Sequence, residues 1–152
     1  MDIMSKRHKL IIAVIGGHDS SKEICEMAYE IGKGIAKAGH ILVCGGLGGV
    51  MEEACKGAKA GGGVTVGILP GMDNSQANRY VDIPIATAMA QGRNAIIVRS
   101  ADVVVAVGGK YGTLSEIALA KDLNKPVYGL RSWEIEGMMN IETAEEFLNK
   151  IR

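Results

Sequence analysis

Charge of neither sign is in surplus: seventeen Lys and Arg stand against seventeen Asp and Glu, so the formal net charge at pH 7 is zero. No global field draws such a chain to nucleic acid or to an anionic membrane. Aromatic residues are scarce, with one Trp, four Tyr and one Phe, so any core must be aliphatic. Cys25, Cys44 and Cys55 form no C-x-x-C and have no spaced histidine partners. That excludes a disulfide scaffold and a zinc site, and it reads as buried thiols in a reducing compartment with no metal. The three prolines and the absence of a G-X-Y period exclude collagen-like and low-complexity chains. No apolar run approaches the roughly 18 residues of a membrane span. Lys6, Arg7 and Lys9 precede an apolar run too short for a signal peptide. A cytoplasmic protein with no membrane partner is expected.

What the chain does have is glycine, 21 of 152 residues, about twice the usual ~7%. Loops are expected to hold the excess. The length suits a single domain over residues 1–152, and 47% hydrophobic residues suffice for its core. Apolar runs of strand length at residues 10–15, 41–44, 64–69, 103–107 and 127–130 alternate with segments of helical period. Ser20-x-x-Glu23 and Thr143-x-x-Glu146 predict capping-box helix starts. Helices are also predicted over 51–60, about 90–100 and 114–123. Residues 70–89 break the pattern and allow only a short strand near 81–85; loops of this length are usually functional. Alternating β and α units imply an α/β, Rossmann-like domain, a mostly parallel sheet with helices on both faces and strand order 3-2-1-4-5.

In such sheets ligands bind beyond the carboxyl ends of the strands, where strand order reverses. The first strand exits into Gly16-Gly17 and the fourth long one into Gly108-Gly109, so the two turns should face each other across that crevice. Gly108-Gly109-Lys110-Tyr111-Gly112-Thr113 lies between a buried strand and a helix, where unpaired amides and the helix dipole hold anions. Neither G-x-x-x-x-G-K-[ST] nor G-x-G-x-x-G occurs, which argues against a Walker-type NTPase or an NAD dehydrogenase. Two ambiguities stay open. Thr113-x-x-Glu116 is also a capping box, so Glu116 is either a helix cap or a functional carboxylate. The turn at residues 45–49, with Gly45 and Gly46, is either a ligand contact or only a tight turn.

Gln91-Gly92-Arg93-Asn94, then Ser100-Ala101-Asp102, five apolar residues and Gly108-Gly109-x-x-Gly112-Thr113-x-x-Glu116 resemble the paired motif of the LOG ("lonely guy") family, which has carried the label lysine decarboxylase-like. The resemblance runs from the first strand to about residue 130. It implies a nucleotide site and a phosphoribohydrolase, a hydrolase that releases free base and ribose 5-phosphate from a nucleoside 5′-monophosphate without a cofactor. Arg93 and Glu116 match the family's catalytic Arg and Glu. The phosphate- and nucleotide-binding set is then Gly16, Gly17, Gly45, Gly46, Gly108, Gly109, Lys110, Tyr111, Gly112 and Thr113. Two departures stand out: Val107 replaces the Pro before the glycine pair, and Gly92-Arg93-Asn94 replaces Glu-Arg-Lys. They are similar to a short branch that also resembles molybdenum-cofactor carrier proteins. The alternative function is therefore a non-catalytic carrier or sensor of a phosphorylated ligand.

The resemblance further implies a homodimer or higher homo-oligomer, with Met89, Met138 and Met139 adding apolar surface. The DNA-processing protein A group shares a similar core, but neutral charge and few aromatics count against a nucleic-acid partner. Decarboxylation has no support, since nothing marks a Schiff-base lysine for pyridoxal phosphate. His18 and the loop residues Asn78 and Arg79 are secondary candidates, and His8 and His40 read as surface residues.

Overall fold

The computed structural model describes residues 9–18 and 21–152. Its described elements, in chain order, are β1 (Ile11–Gly16), α1 (Lys22–Lys37), β2 (Ile41–Cys44), α2 (Val50–Ala60), β3 (Val64–Leu69), β4 (Ile83–Ala86), α3 (Arg93–Ser100), β5 (Val103–Val107), α4 (Tyr111–Asp122), β6 (Val127–Leu130), β7 (Met139–Ile141) and α5 (Ala144–Ile151). Single 3₁₀ turns occupy Asn74–Gln76 and Ala90–Gly92. Every strand pair is parallel, and the order is β4-β3-β2-β1-β5-β6-β7. The expected 3-2-1-4-5 arrangement is the central five strands. β4 and the three-residue β7 extend it at the two edges, and only the first of these was foreshadowed by apolar spacing.

Alternate residues of the central strands feed two cores. Ile12 and Val14 of β1, with Val103, Val105 and Val107 of β5, pack under α1, α2 and α5. Ala13, Ile15, Val104 and Ala106 pack under α3 and α4. All five residues of β5 are buried, as befits a strand covered on both faces. Met89 and Met139 are exposed, while Met138 packs against the second core. Among the described residues no helix is long and apolar enough to cross a membrane.

Several local expectations need correction. The N-cap of α1 is Ser21, whose side chain accepts from the Ile24 amide (3.3 Å). Glu23 instead pairs with Arg131 (2.8 Å). Ser20, Asp19 and His8 lie outside the described residues. Thr143 does cap α5, accepting from the Glu146 amide (3.2 Å). Glycine is not confined to loops: Gly32 and Gly34 lie within α1 and Gly57 within α2. A Cβ on Gly32 would stand 1.9 Å from the Ala54 carbonyl oxygen, and one on Gly57 2.0 Å from that of Tyr29. The two helix backbones touch, and only a residue without a side chain fits between them.

His40 is not a surface residue but 8% exposed. Its Nδ1 accepts from the Leu10 amide (3.1 Å), which leaves Nε2 to donate to the Ile151 carbonyl (2.8 Å). The imidazole thus joins the entry of β1 to the end of α5. His40→Ala strands a buried donor and a buried acceptor, so a loss of about 1–3 kcal/mol in urea unfolding is expected. An unchanged midpoint would show that water replaces the ring.

Candidate functional site

The carboxyl ends of β1, β2 and β5 converge on one cleft of about 480 Å³. β1 ends in Gly16-Gly17 and β2 leads into Gly45, and both turns line it. A Cβ on Gly16 would stand 2.5 Å from the Val107 carbonyl oxygen, so the ends of β1 and β5 are in contact. On the far side β5 passes into α4 through Gly109, Lys110, Gly112 and Thr113. Gly109 holds φ +100°, and a Cβ there would meet Thr113 Oγ1 at 2.3 Å. This close fold-back requires glycine.

α4 starts at Tyr111, three residues before the sequence-predicted start at Leu114, with Lys110 as an N-cap that supplies no side-chain bond. Thr113 is therefore the third residue of the helix and Glu116 the sixth, and neither forms a capping box. The first helical bond runs from the Leu114 amide to the Lys110 carbonyl (3.0 Å). Among the described residues, the amides of Gly109 through Thr113 have no protein acceptor. Five successive donors without a protein acceptor thus stand at a helix N-terminus, where the dipole is positive and a negative group is favoured.

Not all of the expected set belongs to this run. Gly108 donates to the Leu130 carbonyl (3.0 Å) and its own carbonyl accepts from Ser132 Oγ (2.6 Å). Gly46 donates to Cys44 Sγ (3.3 Å) and accepts from Asn78 through the backbone amide (2.8 Å) and side chain. Tyr111 does not line the cleft, and its ring is 79% exposed and tilted against Trp133. Trp133 Nε1 in turn donates to the Lys110 carbonyl (2.8 Å), which braces the loop from outside.

Arg93 and Glu116 both line the cleft and are nearly buried, at 6% and 8% exposed. Arg93 opens α3 directly after a turn in which Ala88 and Ala90 take φ of +55° and +50°. That strained turn is pinned by amide bonds from Ala88 to Gly71 O (2.8 Å) and from Ala90 to Pro70 O (3.0 Å). Arg93 Nε donates to the Ile68 carbonyl (2.9 Å), Nη1 donates to Asn94 Oδ1, and Nη2 lies against Gly45. Burial pulls the guanidinium pKa down, and the Glu116 charge opposes this. The guanidinium remains charged.

Glu116 behaves differently. Among the described residues it makes no hydrogen bond and no ion pair within 4 Å. Burial pushes its pKa up to about 7, with Arg93 acting against the rise. A carboxyl without a protein partner, beside a run of such donors, is a functional candidate on physical grounds.

Sequence reasoning did not anticipate the cleft-lining Asn94 as the partner of Arg93, nor the clamp made by Asn78. Asn78 Nδ2 donates to Gly46 O (3.3 Å) and Leu47 O (2.9 Å), and its Oδ1 accepts from the Tyr80 amide (3.0 Å). The irregular segment thus holds the β2 turn in place. A lone loop asparagine carries no sequence signal for that role. His18 lines the cleft and is exposed, whereas Arg79 is exposed and stacks on Tyr80. Among the described residues, no group of three or more His, Cys, Asp or Glu is placed to hold a metal ion.

The family model described as the SLOG cluster4 family matches residues 9–151. A protein of Archaeoglobus fulgidus is 49% identical over 139 residues, 91% of either chain. The solved structure of the molybdenum cofactor binding protein from the phototrophic bacterium Rippkaea orientalis superposes with a TM-score of 0.90 at 36% identity, covering 94% of this chain and 95% of that one. A cytokinin riboside 5′-monophosphate phosphoribohydrolase of Mycobacterium tuberculosis is 36% identical over 99 residues, 62% of this chain and 52% of that relative. The chain thus aligns with about half the length of the hydrolase.

Proposed function

The chain belongs to the SLOG cluster4 family, and from that premise we propose that its cleft binds a nucleoside 5′-monophosphate and hydrolyses the N-glycosidic bond. The observation that carries this reading is the run of acceptor-less amides from Gly109 to Thr113 beside the unpartnered carboxyl of Glu116. The amides take the 5′-phosphate. Arg93 Nη2, held in place through its other nitrogens, directs a positive edge at the sugar or its phosphate. Breaking the C1′–N bond leaves an oxocarbenium-like ribose, whose positive charge the Glu116 carboxylate stabilises. The same carboxylate draws a proton from the attacking water as its oxygen bonds to C1′; the departing base takes a proton from solvent and Glu116 releases its own to solvent, so one water is consumed per bond broken. Products are free base and ribose 5-phosphate.

A second reading has its own support. The similarity to the molybdenum cofactor binding protein spans nearly the whole of both chains, while that to the hydrolase does not. In this reading the amides hold the phosphate of a pterin cargo, and Glu116 only shapes the pocket. Incubation with AMP and N6-modified adenosine monophosphates separates the two. Equal amounts of base and ribose 5-phosphate support hydrolysis. A rise in melting temperature without turnover supports a non-catalytic nucleotide site, by mass action, and a rise with a phosphorylated pterin alone supports carriage. Neither response to any of these nucleotides would remove the nucleotide reading.

The proposed phosphate cup has a clean test at Gly112, where an added Cβ meets nothing within 4 Å. Gly112→Trp is expected to leave the melting temperature near that of wild type, or slightly raised by better helix propensity. It should abolish the nucleotide-induced shift, because the indole fills the space in front of the amides. A shift that survives would place the ligand elsewhere.

A further inference from the structure

Beneath the cleft lies a pair of thiols that the proposed chemistry does not use. Cys44 is the last residue of β2 and Cys55 sits midway along α2. Both are fully buried, and their sulfurs are 3.5 Å apart. We propose that Cys44 and Cys55 are a modification site: a hydroperoxide converts them to a reversible disulfide, and the bond alters the cleft through the Gly45–Gly46 turn.

The surroundings differentiate the two sulfurs. Cys44 Sγ accepts from the Gly46 amide (3.3 Å). Its pKa is drawn down by the Cys55 thiol, with burial opposing and the Gly46 amide and Arg93 assisting. Cys55 is pushed the other way, first by its contact with Cys44 and then by burial. One sulfur is thus the better thiolate and its neighbour keeps its proton, the arrangement of an attacking and a resolving cysteine. A peroxide is close to water in size, and the next residue after Cys44, Gly45, already lines the cleft.

The reaction balances in two steps. Cys44 Sγ attacks the distal peroxide oxygen and the O–O bond breaks. The other oxygen leaves with the Cys44 proton as water or an alcohol, and Cys44 becomes a sulfenic acid. Cys55 Sγ then attacks Cys44 Sγ, the S–O bond breaks, and hydroxide leaves with the Cys55 proton as water. Two thiols lose two electrons and one peroxide gains them.

A disulfide requires the sulfurs, now 3.5 Å apart, to close by about 1.5 Å. Cys44 Sγ is also the acceptor for Gly46, and Gly45 lies against Arg93 Nη2. Closure therefore draws on the turn that seats the guanidinium.

The test uses the intact protein, stoichiometric hydrogen peroxide, and maleimide labelling in denaturant. Reduced protein should take three labels; oxidised protein should take one, on Cys25, with Cys44 and Cys55 recovered in one linked peptide. Dithiothreitol should restore all three. Cys44→Ser should retain both remaining thiols under the same dose, whereas Cys55→Ala should stop at a dimedone-trapped Cys44 sulfenic acid with no linked peptide. The Arg93 Nε–H resonance should shift on oxidation and return on reduction. Loss of the Cys25 label first, oxygen addition without linkage, or three labels throughout would overturn the proposal in wild-type protein alone, whether or not the variants fold. An unmoved Arg93 resonance in a linked protein would overturn the coupling to the cleft.

Discussion

Glu116→Gln is expected to reduce base release from AMP by roughly 10²–10⁴-fold, the range for losing a positioned acid–base group. The substitution keeps shape and volume and removes only the ionisable oxygen. Since burial puts the Glu116 pKa at about 7, the wild-type rate should fall as pH drops through 7, about tenfold per unit below it. The Gln variant should show no such limb. Stability carries the same signature with a definite sign. A carboxyl whose pKa rises from 4.5 unfolded to about 7 folded favours the folded state fully below pH 4.5, and that advantage is lost as pH rises through 7. Comparing urea midpoints at pH 5 and pH 8, the wild type should lose up to about 3 kcal/mol more than the variant. A variant with wild-type turnover would sink the hydrolytic mechanism. The same pH slope in both proteins would show that Glu116 is solvated rather than buried.

Gly32→Ala tests the packing on which the cleft rests. In an exposed helix the exchange would stabilise by about 1 kcal/mol, because Ala is the better helix former. Here the new Cβ would lie 1.9 Å from the Ala54 carbonyl oxygen and 2.8 Å from its carbon. Both are backbone atoms with no rotamer through which to move. α1 and α2 would have to separate along much of their contact, and overpacking of this kind costs about 1–3 kcal/mol or more. A net loss of about 3 kcal/mol is expected, a fall in melting temperature of roughly 6–12 °C. Gly34→Ala is the internal comparison: the atoms nearest its Cβ would be those of the Leu148 side chain, from 2.3 Å, which can turn aside. It should lose less than half as much. Equal losses would mean that the helix contact is not the cause.

The central sheet was readable from the chain because each strand is a continuous apolar run, and both its faces are covered. β7 was not readable, since Met139-Asn140-Ile141 has neither the length nor the pattern of a strand; it forms only because Tyr128 to Leu130 offer it an edge. The start of α4 was misjudged for a different reason. Thr113 and Glu116 imitate a capping box, while Gly112 is a poor helix residue, and the backbone begins the helix three residues earlier without any side-chain cap. The glycine expectation failed because sequence spacing shows where a helix is amphipathic but not how near another helix will pass. The motif around Arg93 and Glu116 marked two residues that the fold does bring to one cleft. It could not distinguish Gly109, which lines the cleft with no protein acceptor for its amide, from Gly108, whose amide is taken by Leu130.

The cup between Gly109 and Thr113 is made of main-chain nitrogens, and this shapes how the protein can change over time. Substituting a side chain does not delete such donors, and no ordinary shift in acidity silences them. On the proposed reading, hold on a phosphate persists while other lining side chains, such as Gln91, Asn94 and His18, change to suit another ring system. On that same reading, catalysis and transport exchange without any rebuilding of the part that grips.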